Sequence, residues 1–126
     1  MSTQPKTLEG VEKLIADGHY ERAAAHLEAM LERAPDDADV LNDLGIARYR
    51  MNDWTRALDA FLRALEAAPH RPTLWDNLAE LLREGQFSDA ALHSVYDRLV
   101  GTRATPRQRR ALMQAGRKLS GVAPYR

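Results

Sequence analysis

The side chains of this chain that could hold a metal or move a proton are four histidines, His19, His26, His70 and His93, and 18 Asp and Glu residues. Two histidines four residues apart on a helix would aim both imidazoles at one ion, and no pair here has that spacing. There is no cysteine, which removes thiolate zinc sites, disulfides and a cysteine nucleophile together. Ser88, Ser94 and Ser120 stand outside any strand–turn–helix nucleophile context, and no glycine-rich loop could cradle a phosphate. Carboxylates can work in pairs as acid and base, but acids spread along helices read as solvated faces. The expectation is a non-enzymatic protein without metal or cofactor.

Charge is more informative than reactivity. The formal net charge is zero, yet residues 1–100 carry 11 Lys/Arg against 18 Asp/Glu. Residues 101–126 hold Arg103, Arg107, Arg109, Arg110, Arg117, Lys118 and Arg126 and no acid. Two surfaces of opposite sign are implied, and the basic segment reads either as a solvated face or as a binding patch. No apolar run approaches the roughly 18 residues that suggest a bilayer-spanning helix, and the opening Met1–Lys6 lacks the apolar core of a secretory signal. A cytoplasmic location is expected.

These residues must be positioned by helices, because apolar side chains recur at i, i+3, i+4 and i+7. Leu41, Leu44 and Ala47 mark one such face; Ala57, Phe61, Ala64 and Leu65 mark another. The spacing predicts seven helices, at about 6–16, 20–33, 37–51, 54–67, 72–84, 88–100 and 106–119. Asp17-Gly18, Asn52-Asp53 and Glu84-Gly85 offer residues that tolerate the left-handed conformation ending a helix, while Pro35, Pro69 and Pro72 punctuate the longer links. Thr105-Pro106 supplies a cap and a first-turn proline for the last helix.

The chain also repeats itself. Tyr20-Glu21-Arg22-Ala23 through Ala34-Pro35 returns as Trp54-Thr55-Arg56-Ala57 through Ala68-Pro69, an offset of 34 residues, and a third pass begins at Phe87-Ser88-Asp89-Ala90. Such a period with helical patterning predicts an all-α solenoid of antiparallel helix hairpins, each too small to bury its apolar face alone. Small residues mark the close approaches: Gly45 and Ala79 between neighbouring hairpins, and Ala23, Ala57 and Ala90 within each hairpin. Tyr20, Trp54 and Phe87 should fill the space beside the turns. The stripe Leu92, Val95, Tyr96 and Leu99 needs cover, which Leu112, Ala115 and Leu119 of a final capping helix could supply. The expected organisation is one domain over 1–126, with repeats at about 4–36, 37–70 and 71–100, a cap at about 106–119 and a tail over 120–126.

Leu41-Asn42-Asp43-Leu44-Gly45 with Trp54, Ala57, Phe61, Ala64 and Pro69, followed by Trp75, Leu78, Ala79, Leu82, Gly85, Phe87 and Ala90, resembles the tetratricopeptide repeat (TPR) family over roughly residues 6–100. The resemblance implies a superhelix whose inner curve is lined by the first helix of each hairpin. It places there Leu8, Glu9 and Glu12; Asp39, Asn42, Asp43, Ile46, Tyr49 and Arg50; and Thr73, Asp76, Asn77, Glu80, Arg83 and Glu84. Members that take the carboxylate tail of heat-shock chaperones use Lys, Asn and Arg in this groove. The mostly Leu, Glu and Asp residues here disfavour that ligand and favour a basic or neutral peptide segment of a partner protein. The expected function is therefore a protein–protein interaction scaffold or adaptor. A second reading is a homo-oligomer in which the basic C-terminal segment docks in a neighbour's acidic groove. Nucleic-acid binding through the same arginines ranks lower, since the patch has no interleaved aromatic residue before Tyr125.

Overall fold

The computed structural model describes residues 7–100, 105–107 and 110. Among them are α1 (Leu8–Ala16), α2 (Tyr20–Arg33), α3 (Ala38–Arg50), α4 (Trp54–Ala67), α5 (Pro72–Glu84) and α6 (Asp89–Val100), with no strand. Their ends fall within two residues of the boundaries expected from apolar spacing. The seventh expected helix, over 106–119, lies almost wholly outside the described residues.

Local chemistry sets the ends. Thr7 Oγ1 accepts from the Gly10 N–H at 3.2 Å to open α1, and Asp37 Oδ1 accepts from Asp39 and Val40 N–H to open α3. Pro72 occupies the first turn of α5, where its missing N–H has no helical partner to lose. Gly18 and Asn52 take positive φ, 86° and 59°, and reverse the chain between α1 and α2 and between α3 and α4. Gly85 does not follow: its φ is −78°. A side chain is excluded there because a Cβ would lie 2.5 Å from the Phe87 ring and 2.9 Å from the Leu81 carbonyl oxygen.

Each helix packs on the next in sequence from α1 to α5, and α1 also reaches α3. This makes α3 the central element. Val40, Leu41, Leu44, Gly45 and Ala47 are buried, and so are the charged Asp43 and Arg48. The α4 face of Ala57, Phe61, Ala64 and Leu65 is buried as its spacing predicts. Tyr49 and Trp54 meet across the turn with ring centroids 5.5 Å apart at a tilt of 52°, so Trp54 does fill the space beside it. Leu92, Val95 and Leu99 of α6 belong to the core. Ala90 is exposed, which removes it from the expected set of within-hairpin spacers.

Gly45 is small for a reason other than the one expected. A Cβ at this position would lie 2.5 Å from Cδ1 and Cε1 of Phe61, so the close approach is to α4 of the same hairpin rather than to a neighbouring hairpin. Replacing Gly45 by leucine should therefore lower unfolding free energy by about 1–3 kcal/mol, the usual cost of overpacking. Combining it with Phe61→Ala should recover part of that loss relative to Phe61→Ala alone. Additive losses in urea denaturation would place the clash elsewhere.

Candidate functional site

The site expected from the sequence lies on α1, α3 and α5, and the structure joins these helices through polar side chains. Asn77 Nδ2 donates to Asn42 Oδ1 at 2.7 Å, tying α5 to α3. Arg71, at the N-terminal end of α5, donates to the Asp39 carboxylate at the start of α3. Glu12 of α1 lies within hydrogen-bonding reach of Asp43. In each of the first two contacts the partners are separated by close to one repeat period, 35 and 32 residues. That spacing was the available signal, yet the Asn42–Asn77 bond and the role of Arg71 went unread. The bond uses the Asn42 carbonyl oxygen and one Asn77 amide hydrogen, and each amide has further hydrogen-bonding capacity.

The expected site residues differ in depth. Glu9, Glu12, Asp39, Arg50, Asp76, Glu80, Arg83 and Glu84 are exposed, whereas Asn42, Ile46, Tyr49 and Asn77 are half-buried. Asp43 was expected at the groove surface and is instead buried, with a relative exposure of 6%. It sinks because α3 is enclosed by α1, α2 and α4, so a register that puts Leu44 and Gly45 inside carries the preceding residue inward as well. Asp43 Oδ2 has no hydrogen-bond partner. Burial, a hydrogen bond with Glu12 and the charges of Glu12 and Asp39 raise its pKa from 3.8 to about 8. The Tyr49 hydroxyl is also held above its ordinary value, by desolvation and then by Glu80 and Glu84, against the opposing charges of Arg50 and Arg83. Two acids and two arginines of α3 and α5 therefore act on Tyr49 together.

A separate concavity of about 520 Å³ is lined by Glu28, Leu31 and Glu32 of α2, Leu44 and Arg48 of α3, and Arg56, Asp59, Ala60 and Arg63 of α4. Its buried guanidinium, Arg48, bonds Glu28 at 3.0 Å and Asp53 at 3.5 Å, while Nε has no partner. A buried cation of this kind is retained only where anions face it. Arg48 was not singled out from the sequence, where it looked like any surface helix arginine. Arg56 shares Asp53, Arg63 donates to the Pro35 carbonyl, and Arg98 bridges Asp59 and Glu66. Charges of both signs therefore pair with each other around this cavity.

Of the basic C-terminal residues, Arg107 and Arg110 are exposed; Arg103, Arg109, Arg117 and Lys118 lie outside the described residues. Among the described residues no group of three or more His, Cys, Asp and Glu could hold a metal ion. None of the described helices is long and apolar enough to cross a membrane. No curated protein matches the chain. A family model described as tetratricopeptide repeat matches residues 14–82.

Proposed function

Because this chain belongs to the tetratricopeptide repeat family, whose repeats mediate protein–protein interaction, we propose that it is a non-catalytic adaptor whose α1–α3–α5 face holds a basic or neutral segment of a partner protein. The observation that carries the reading is the excess of exposed acids over exposed arginines on α1, α3 and α5. Around the 520 Å³ cavity, acids and arginines pair off. On the α1–α3–α5 face, the exposed Glu9, Glu12, Asp76, Glu80 and Glu84 outnumber the exposed Arg50 and Arg83, beside two asparagines able to hydrogen-bond an extended backbone. Acids so arranged attract a cationic segment and repel an anionic one.

Reversal of charge tests this directly. Glu9, Asp76 and Glu80 are exposed, so changing all three to lysine should leave thermal unfolding within about 0.5 kcal/mol of the parent per site. Partners retained by the parent protein and identified by mass spectrometry should be lost from the triple variant. Retention of the same partners in the same amounts would remove this face from the binding surface.

A further inference from the structure

Two carboxyl groups, Glu12 of α1 and Asp43 of α3, lie within hydrogen-bonding reach of each other with one of them buried. Asp43 is 94% buried by its relative exposure of 6%, and its Oδ2 is unpartnered. Glu12, within hydrogen-bonding reach, is exposed. Asp39, one turn earlier on α3, adds a third carboxylate, and Arg71 from the start of α5 is bonded to Asp39. On the α2 and α4 sides of α3, the carboxylates of Glu28 and Asp53 are engaged by Arg48. A hydrogen bond between two carboxyls exists only while one proton is shared, and without it two negative charges are left adjacent, one of them buried.

We infer that this cluster is a subsite for one cationic side chain, the Lys or Arg of an extended partner segment, which displaces the shared proton. The ammonium or guanidinium lies against the exposed Glu12 and Asp39 carboxylates. Its positive charge stabilises Asp43 in the ionised form, and the proton leaves to solvent. An organic cation fits better than a metal ion, because no three of the described His, Cys, Asp and Glu side chains converge as ligands. A peptide fits better than a small amine, because Asn42 precedes Asp43 on α3 and is bonded to Asn77, which places amide groups beside the subsite. The raised pKa of Asp43, about 8, means that the proton to be displaced is present at neutral pH.

The inference rests on the peptide-holding reading above and can fail separately from it. The probes are blocked octapeptides randomised except for one fixed position carrying Arg, Lys, Gln or Glu, together with a peptide of residues 101–126, screened against the full chain. The best Arg or Lys binder is then titrated calorimetrically between pH 6 and pH 9 in buffers of different protonation enthalpy. Affinity should weaken about tenfold per pH unit below about 8, with roughly one proton released per complex. Asp43→Asn, which keeps the shape of the side chain, should still bind but lose the pH dependence and the proton release; Glu12→Gln should weaken binding and flatten the profile.

Binding that is selective for Arg or Lys yet independent of pH overturns the subsite while leaving the acidic groove intact. Equal binding of all four fixed residues overturns the subsite as well. Absence of binding by every peptide overturns the peptide-holding reading itself, and preferential binding of the 101–126 peptide makes the occupant a second copy of this chain and overturns the assignment to a partner segment.

Discussion

Replacing Trp75 by alanine should destabilise the fold by about 3–5 kcal/mol, the range for removing a large aromatic side chain from a packed interior. Trp75 is among the largest fully enclosed side chains, with a relative exposure of 2%. Its indole N–H donates to the Pro69 carbonyl at 2.7 Å, so the same residue fills the core and satisfies a backbone acceptor in the link between α4 and α5. The two roles can be separated. Trp75→Phe keeps most of the ring but strands the Pro69 carbonyl, and should cost about 1–3 kcal/mol. Urea denaturation with an unchanged slope measures both. A Trp75→Ala variant within 1 kcal/mol of the parent would mean that the indole does not occupy the interior.

The second large effect depends on pH. Asp43 is bound to its proton more tightly in the folded chain, with a pKa raised to about 8 from 3.8. Between those values the folded state holds more protons than the unfolded one, so stability falls as pH rises, and the loss is complete above about 8. Below the unfolded value both states are protonated and the group is neutral to stability. Asp43→Asn cannot ionise. It should therefore be more stable than the parent by on the order of 3 kcal/mol at pH 9, with a difference of less than about 1 kcal/mol at pH 4. Denaturation curves at the two pH values provide the measurement; an equal difference at both would show that Asp43 does not share a proton in the folded state.

Much of the fold was legible because a repeat states its geometry more than once. The pairs Asn52 and Gly18, Ala57 and Ala23, and Trp54 and Tyr20 occupy matching places, and the helices between them follow from apolar spacing alone. What periodicity conveys is the face a residue shares with its counterparts; depth is set by how many neighbours a helix has. Asp43 was assigned to the wrong depth, since α3 is packed by α1, α2 and α4 together. Gly45 was rightly read as a contact point, but its partner, Phe61, could not be told from the sequence because a missing side chain has two possible neighbours, ahead and behind. Arg48 was missed for a related reason. Its anions, Glu28 and Asp53, sit at unremarkable positions on either side, and only tertiary packing brings them together.

From α1 to α5 the helices touch mainly those that precede and follow them, with α1 reaching α3 as an added contact. Under mechanical load, force applied at the two ends therefore passes through hairpins in series. Each repeat that yields would pay out about 34 residues of chain, which at roughly 3.4 Å per residue is close to 12 nm. The ties between successive hairpins include the Asn42–Asn77 amide bond, the Arg71–Asp39 pair and the contacts of Arg98 with Asp59 and Glu66, while Arg48 staples the middle of the stack. A stack of hairpins joined in this way should yield first where such ties are fewest.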